Sequence, residues 1–220
     1  MRTEIENSIE KESFALRSDL HLTRKLWHMC TGLVGLSFYS GLGLSSQEMA
    51  WALLILAISA IAVEITRLKV MAVNKVVLKI MKPFMRESEK NSMSGFPFYA
   101  LGVSLALLMF DEKIAILAAL FLMFSDPISS LFGILYGKDK IVGNKSLQGA
   151  MAGFIVCYIL TFVYGSYYYR PGVDLLLFSV VAGVIGSISE LCSIFVDDNL
   201  TIPIVSGLGL TLLNFVIPIF

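Results

Sequence analysis

The residues best able to do chemistry lie between positions 126 and 149, inside an otherwise apolar chain. The segment DPISSLFGILYG begins at Asp126, and GNKSLQG begins at Gly143. A carboxylate inside a segment apolar enough to cross a membrane is costly, so it indicates a functional role. On a helix, Asp126, Ser130, Gly133 and Gly137 fall on one stripe. This stripe is the first candidate for a site.

The dipeptide Asp126-Pro127 also has a structural interpretation. Asp is a favoured helix N-cap and Pro a favoured first helical residue. The pair therefore predicts a half-helix that starts inside the membrane and turns its amide end toward an anion. The alternative for the glycines is simpler: Gly133 with Gly137, and Gly149 with Gly153, form small-residue notches for helix packing. That alternative accounts for neither Asp126 nor the lysines nearby.

Composition places the chain among membrane proteins. It has 220 residues, of which 56% are hydrophobic and 15% charged, and its mean hydropathy is +0.78. Soluble domains are rarely so apolar. The formal net charge of zero gives no reason to expect nucleic acid as a partner. Three cysteines lie far apart in apolar segments, so we expect buried thiols rather than disulfides or a zinc site.

Seven apolar segments follow a polar N-terminal region of residues 1–22. Most reach the length of about 20 residues that a membrane-spanning helix needs. We therefore predict an all-α, polytopic protein whose residues 23–220 form a single multi-span membrane domain, with an amphipathic interfacial helix within 68–94. We place residues 1–22 on the cytoplasmic membrane surface. The predicted spans are 26–44, 49–67, 96–110, 113–136, 147–167, 173–195 and 202–220.

Basic residues set the expected orientation. Fifteen of the 17 Lys and Arg residues fall in the N-terminal segment, in 67–90 or in 138–145, whereas the opposite loops hold only Lys113 and Arg170. This bias places the N-terminus in the cytoplasm and the C-terminus across the membrane. The polar clusters then share one membrane face. Carboxylates that hold Mg²⁺, together with Arg and Lys that neutralise phosphates, would suit a polyanion there.

Several of these clusters have plain structural alternatives. Glu64 and Arg67, spaced three apart, could simply pair with each other. Ser146 could cap a helix, and Asp197 with Asp198 could form a solvated turn. Glu190 is harder to explain in this way, because it lies inside a span on a small-residue stripe with Ala182 and Gly186.

In combination, the motifs resemble the CTP-dependent lipid kinase family, which includes dolichol kinase, phytol kinase and the yeast-type CTP-dependent diacylglycerol kinase. Resemblance to the diacylglycerol kinase branch is strongest, through NKSLxG and DDNxTIP. It extends over most of the chain, from Arg24 to Ser206. The segments that carry it are RKxxH at 24–28, ExxR at 64–67, SDxxSxxxGxxxG at 125–137, NKSLQG at 144–149, SE at 189–190 and DDNLTIP at 197–203.

The resemblance implies phosphoryl transfer from CTP, with Mg²⁺, to a lipid alcohol in the bilayer. Diacylglycerol is the first choice, and a polyprenol, dolichol or phytol the next. It would assign Asp126 to metal binding or to accepting the alcohol proton, and Lys145, Arg24 and Lys25 to phosphates. Glu190, Asp197 and Asp198 are further metal candidates. Residues expected near the nucleotide are His28, Ser129, Gly133, Gly137, Lys138, Asn144, Ser146 and Gly149.

Two other classes of function remain open from the sequence. A CTP:phosphatidate cytidylyltransferase would use the same nucleotide but release pyrophosphate instead of CDP. A small transporter or lipid-binding membrane protein would turn over no nucleotide. The expected location is an integral membrane with the active site facing the cytoplasm: the inner membrane of a bacterium or archaeon, or the endoplasmic reticulum of a eukaryote.

Overall fold

The computed structural model describes residues 20–193 and 196–220. The segment 1–19, which holds most of the predicted N-terminal surface segment, lies outside the described residues. Nine α-helices dominate the described part: α1 Leu22–Gly41, α2 Ser46–Lys69, α3 Met71–Met81, α4 Phe96–Met109, α5 Glu112–Leu120, α6 Asp126–Tyr136, α7 Leu147–Gly165, α8 Val173–Leu191 and α9 Asp198–Val216.

The prediction of an all-α membrane protein is confirmed. Five helical segments of the described chain are long and apolar enough to cross a membrane: α2, α5 continued through α6, α7, α8 and α9. The α4 helix is apolar but only 14 residues long. The 20-residue α1 helix starts close to the first predicted span. The total of seven spans stays a prediction.

The expected half-helix at Pro127 is wrong. The chain is helical from Glu112 to Tyr136, and a π-helical turn, Phe121–Ser125, joins α5 to α6. Ser125 and Asp126 both have right-handed helical backbone angles, and Ser125 caps nothing with its side chain. Asp126 is therefore a mid-helix residue. The π-turn accommodates Pro127 without a break in the helix.

The core of the protein surrounds this π-turn. Phe121 and Leu122 are fully buried, and they pack in one cluster with Phe178, Leu175 and Leu210 from α8 and α9. The outer faces of the helices are also apolar; Ile159 of α7 and Leu212 of α9 are examples. Apolar residues on both the inner and outer faces of a helix are expected where lipid rather than water surrounds the protein.

The segment between α2 and α4 is less regular than predicted. The amphipathic helix ends at Met81, and two short 3₁₀ turns follow at Lys82–Phe84 and Glu87–Lys90. Arg67 at the end of α2 organises this segment, since its guanidinium donates to the carbonyls of Glu89 (2.9 Å) and Ser92 (2.7 Å). Its pairing with Glu64, at 2.7 Å, is confirmed.

Two smaller features differ from the expectations. The basic loop between α6 and α7 contains a two-stranded antiparallel hairpin, Lys140–Val142 with Lys145–Ser146. Gly143 turns this hairpin at a φ of +55°, a left-handed conformation that glycine adopts at little cost. The cysteines form no disulfide; Cys157 is buried as expected, but Cys30 and Cys192 are exposed.

Candidate functional site

A polar cavity of about 660 Å³ lies at one end of the helices. It is built from the start of α1, the segment before α4, the whole of α6, the hairpin, the start of α7, and the junction of α8 and α9. Most of the site residues predicted from the sequence line it: Arg24, Lys25, His28, Asp126, Ser129, Gly133, Gly137, Asn144, Lys145, Ser146, Gly149, Glu190 and Asp198.

The α6 helix presents the predicted stripe to this cavity. Asp126, Ser130, Gly133 and Gly137 all line it, as the helical spacing requires. The carboxylates of Asp198 and Glu190 repel the charge of Asp126, whereas Lys145 and Arg86 attract it. The cavity therefore gathers charges of both signs around one acidic group on a membrane-spanning helix.

The glycines allow α6 and α7 to approach closely. A Cβ atom on Gly149 would lie 2.9 Å from the Ser129 carbonyl oxygen and 3.3 Å from the Gly133 Cα. The packing interpretation of these glycines thus holds, and the same residues form a wall of the cavity. Ser146 caps α7, as its alternative interpretation predicted, by accepting from the Gly149 amide at 3.2 Å.

Lys145 reaches the cavity from the hairpin and pairs with Glu190. Its Nζ donates to Glu190 Oε1 at 3.0 Å. Burial alone would lower the pKa of Lys145, but the carboxylates of Glu190, Asp126 and Asp198 together outweigh it and raise the pKa above its usual value. Lys145 is therefore a cation at neutral pH, and its side chain is still 22% exposed to the cavity.

The second oxygen of Glu190 has no hydrogen-bond partner. This atom, Oε2, faces α7, where a Cβ on Gly153 would lie 3.1 Å from it. Ser129 Oγ is likewise buried and unpaired. Unsatisfied polar atoms in a buried place are uncommon and call for an explanation. Glu190 Oε2 and the Ser129 side chain both lie beside Gly153 of α7, so these atoms face the contact between the helices behind the wall of the cavity.

Arg24 and Lys25 lie at the start of α1. The Arg24 guanidinium pairs with the buried Glu89 carboxylate at 2.6 Å and donates to the Phe84 carbonyl at 3.3 Å. Arg24 therefore ties α1 to the segment before α4 in addition to lining the cavity. Lys25 donates to the Leu20 carbonyl at 2.5 Å, a contact that an incoming anion could replace.

His28 contacts a backbone carbonyl that the π-turn leaves without a partner in the helix. In the π-turn the amide of Asp126 donates to the Phe121 carbonyl, five residues back. The next bond of that register would run from residue 127 to the Leu122 carbonyl, but proline has no N–H. His28 Nε2 lies 3.1 Å from that carbonyl. Since a carbonyl only accepts, Nε2 carries the hydrogen, and the tautomer is set.

Two of the predicted site residues lie outside the lining. Lys138 is exposed beyond the end of α6, and its backbone amide donates to Gln148 Oε1 at 3.1 Å. Asp197 caps α9, because its Oδ1 accepts from the amide of Asn199 at 3.0 Å. Burial, and then the neighbouring Asp198, raise the pKa of Asp197 to about 6. The turn interpretation thus accounts for the contacts of Asp197.

Sequence reasoning missed Arg86, which lines the cavity from the segment before α4. Its Nε is buried and has no hydrogen-bond partner. Among the many Lys and Arg residues of 67–90, no spacing singled it out. The signal that could have found it is the neighbouring Glu89, whose carboxylate accepts from both Arg24 and the Arg86 amide (2.9 Å) and so joins two basic segments.

The donor set suits Mg²⁺ better than a transition metal. Within 20–193 and 196–220, no three His, Cys, Asp or Glu side chains come together as a metal site. Mg²⁺ does not require three, since one or two carboxylates with phosphate oxygens and waters commonly hold it. Asp126 and Asp198 line the same cavity and repel each other. A divalent cation would relieve that repulsion, so this pair fits the ion.

Fold and site together define a class: a helical integral membrane protein whose cavity, at one end of its helices, is lined by acidic and basic side chains. Sequence comparison identifies a family within this class. A CTP-dependent diacylglycerol kinase of Schizosaccharomyces pombe is 32% identical over 198 residues, which are 84% of this chain and 90% of that protein. The Saccharomyces cerevisiae protein of the same name is 29% identical over 207 residues, 85% of this chain and 71% of that protein.

The chain therefore belongs to the family of CTP-dependent diacylglycerol kinases. A third relative of that name, from Eremothecium gossypii, is 27% identical over 205 residues. No protein-family model matches the sequence. No solved structure matches it either.

Proposed function

We propose that the protein is a CTP-dependent diacylglycerol kinase, which transfers the γ-phosphate of CTP to the free hydroxyl of diacylglycerol and forms phosphatidate and CDP. The observation that carries this proposal is the cavity itself. It places the acidic Asp126 among cationic side chains at the polar end of a helical membrane protein. A water-soluble triphosphate and a membrane-bound alcohol can meet at such a place. The names of the curated relatives support CTP as the donor.

Cationic side chains would bind the phosphates. Lys145 keeps one hydrogen bond, to Glu190, and has two ammonium hydrogens left for a ligand. Arg86 has an unpaired buried Nε, and Lys25 is held only by a backbone carbonyl among the bonds described for it. Charge neutralisation and positioning supply most of the catalysis in phosphoryl transfer, because the transition state is loose and its charge is spread over the oxygens.

Asp126 would act on the acceptor. The hydroxyl oxygen of the lipid attacks the γ-phosphorus, the bond to the β,γ-bridging oxygen breaks, and CDP leaves with those electrons. The hydroxyl proton passes to the Asp126 carboxylate, the role that a carboxylate has in other phosphoryl transferases. Asp126 and Asp198 would also hold Mg²⁺, which would supply neutralisation of the phosphate charge.

The remaining cavity residues would position these groups. Glu190 orients Lys145 through its 3.0 Å contact. Asn144 offers an exposed polar side chain to the nucleotide. Ser129, Gly133 and Gly149 form the wall beside it, where α6 and α7 approach closely. His28, fixed as the Nε2–H tautomer, could accept a hydrogen bond on Nδ1.

The cavity would face the cytoplasm. Its lining includes His21, Arg24, Lys25, Arg86 and Lys140. Lys113, in the first turn of α5, and Arg170, in the loop before α8, lie at the other ends of the helices. The positive-inside rule then puts the cavity where CTP is available. A reporter fused after Phe220 should read on the opposite side of the membrane; a cytoplasmic reading would contradict the odd number of spans or this orientation.

One assay tests the proposal directly. Purified protein is incubated with CTP or ATP labelled at the γ-phosphate, and with diacylglycerol, phytol or a polyprenol in mixed micelles. We expect labelled phosphatidate and CDP from CTP with diacylglycerol. With phosphatidate as substrate, release of pyrophosphate would instead indicate a cytidylyltransferase. Lipid binding without consumption of any nucleotide would indicate a non-enzymatic lipid-binding protein or transporter.

A further inference from the structure

A second cavity, of about 220 Å³, lies in a groove between α1, α2, α4 and the α5–π-turn segment. It is lined by residues within 31–39 of α1, 49–56 of α2, 96–107 of α4 and 116–123. Thr31 and Tyr39 are eight residues apart on α1, so the groove follows that helix for about 12 Å at a rise of 1.5 Å per residue. We refer to it as the apolar groove.

The lining of the apolar groove leaves no polar side chain free among its described residues. Only three of them carry a hydroxyl. Thr31 Oγ1 donates to the Trp27 carbonyl at 2.8 Å, the Tyr39 hydroxyl donates to Glu112 Oε1 at 2.5 Å, and the Tyr99 hydroxyl lies 3.5 Å from the His28 carbonyl. A polar occupant would lose its hydrogen bonds to water and gain few in exchange. The chemistry of the groove therefore selects a hydrocarbon.

The groove begins where the polar cavity ends. His28 lines the polar cavity and Tyr99 lines the groove. Their rings are in edge-to-face contact, with centroids 4.4 Å apart. Thr31, the first groove residue of α1, follows His28 by about one helical turn. A lipid whose hydroxyl lies beside Asp126 would pass this ring pair and continue into the groove.

The position of the groove beside the polar cavity favours a lipid as its occupant. An occupant of both places needs a polar head for the cavity and a hydrocarbon tail for the groove. A lipid alcohol has both, whereas a helix from a partner or from a second copy would cover the groove without entering the polar cavity. An acyl chain, which is narrow, flexible and apolar, fits the chemistry of the groove.

We propose that the apolar groove binds one acyl chain of the lipid acceptor and thereby directs its hydroxyl past His28 into the polar cavity. This inference rests on the proposed function for the identity of the acceptor as diacylglycerol. The groove would also distinguish lipids with long acyl chains from lipids with short ones. Lipid alcohols whose hydrocarbon is too short to reach Gly35 would lose this contribution to binding.

Gly35 offers a direct way to close the groove. A Cβ atom there would meet only the Met49 methyl carbon, at 3.9 Å, so a larger side chain can enter the groove without a backbone clash. Gly32 does not serve this purpose, because its Cβ would collide with Tyr99 and Met123. Gly41, at the end of the same helix, has nothing within 4 Å of its Cβ position and does not line the groove. It provides the matched control.

The kinetic test compares Gly35→Leu with Gly41→Leu on dioleoylglycerol and on dihexanoylglycerol. Each methylene withdrawn from the groove costs roughly a factor of four in binding. We expect Gly35→Leu to raise the KM for dioleoylglycerol at least about tenfold, while the KM for dihexanoylglycerol and for CTP stays unchanged. Gly41→Leu should leave all three constants unchanged. Equal effects of Gly35→Leu on the two lipids would overturn the proposal.

A binding test separates this inference from the proposed function. Diacylglycerol with a diazirine in one acyl chain is photo-crosslinked to the full-length protein, and labelled peptides are mapped with and without excess unlabelled diacylglycerol. We expect competed labelling within 31–39, 49–56 and 96–107, weakened by Gly35→Leu. Such labelling without phosphoryl transfer would contradict the proposed kinase function but still support acyl-chain binding in the groove. Phosphoryl transfer could instead be accompanied by labelling only on outward residues such as Ile159, with no reduction by unlabelled diacylglycerol. That result would overturn acyl-chain binding in the groove and leave the kinase function supported.

Discussion

Two buried acid–base pairs lie at the polar end of the helices, and their surroundings differ. Arg67 pairs with Glu64 at 2.7 Å, and its remaining N–H groups meet the carbonyls of the segment before α4 and the Asn74 amide oxygen. Arg67 is completely buried. Lys145 pairs with Glu190 at 3.0 Å, but it keeps unused hydrogens, and Glu190 keeps an unpaired oxygen.

The difference is the one expected between a charged pair that holds the structure and a charged pair that is available to a ligand. A guanidinium whose donors are all satisfied by the protein has nothing to offer a ligand and serves to hold a loop. A pair that is half satisfied and open to a cavity is ready to exchange a protein contact for a ligand contact. Both pairs consist of ordinary ionic residues, so residue type alone does not distinguish them. The number of satisfied hydrogen-bond partners does.

Loss of Arg67 should have the largest effect on stability. In Arg67→Met, Glu64 is left buried without its partner and the loop carbonyls lose their donors. We expect the free energy of unfolding to fall by about 3–5 kcal/mol, measured as a loss of folded protein and a lower Tm in detergent. Lys69→Met, which changes an exposed lysine two residues later, is the matched control. An unchanged Tm for Arg67→Met would contradict the structural role.

Asp126→Asn should remove turnover and leave the fold intact. The substitution keeps the size of the side chain but removes the acceptor for the hydroxyl proton, so we expect kcat to fall by about 100-fold or more. Neither added Mg²⁺ nor added CTP should restore the rate. The control is Asp111→Asn, which changes the helix cap of α5 outside the cavity. If Asp126→Asn turned over normally, Asp126 would have no catalytic role.

Lys145→Met should weaken nucleotide binding and lower the Tm less than Arg67→Met, because Lys145 makes one contact and is 22% exposed, whereas Arg67 is buried among several acceptors. One charge-assisted phosphate contact contributes about 2 kcal/mol, which corresponds to a KM for CTP about 30-fold higher. The KM for diacylglycerol should not change. Lys138→Met, in the same connection but outside the cavity, should change neither constant. A raised lipid KM with an unchanged nucleotide KM would place Lys145 elsewhere in the mechanism.

Asp198→Asn should have the smallest effect, a shift in metal dependence. We expect a severalfold higher Mg²⁺ concentration for half-maximal rate and partial rescue by excess Mg²⁺, because one of two carboxylate ligands is lost. Glu190→Gln should instead raise the KM for CTP through Lys145 and leave the Mg²⁺ dependence unchanged. The opposite pattern in these two variants would exchange their roles.

The sequence predicts the helices well, because hydropathy depends on local composition. The predicted segment 147–167 corresponds to α7 at Leu147–Gly165, and the Asp126 stripe follows from helical periodicity. The pairing of Arg24 with Glu89 could not be predicted, since the two residues are 65 positions apart in the sequence. The apolar groove could not be predicted from the sequence either. It exists because α1 and α2 stand apart, and no residue pattern encodes a space between helices.

The π-turn before Asp126 also sets the rotational register of α6. A π-turn contains one residue more than the α-helical turn it replaces, and one residue corresponds to about 100° of rotation around a helix axis. Deletion of a single residue from Phe121–Ser125 would therefore keep every side chain of α6 and turn the Asp126 stripe away from the cavity. Within this span, the length of the chain matters as much as the identity of its residues.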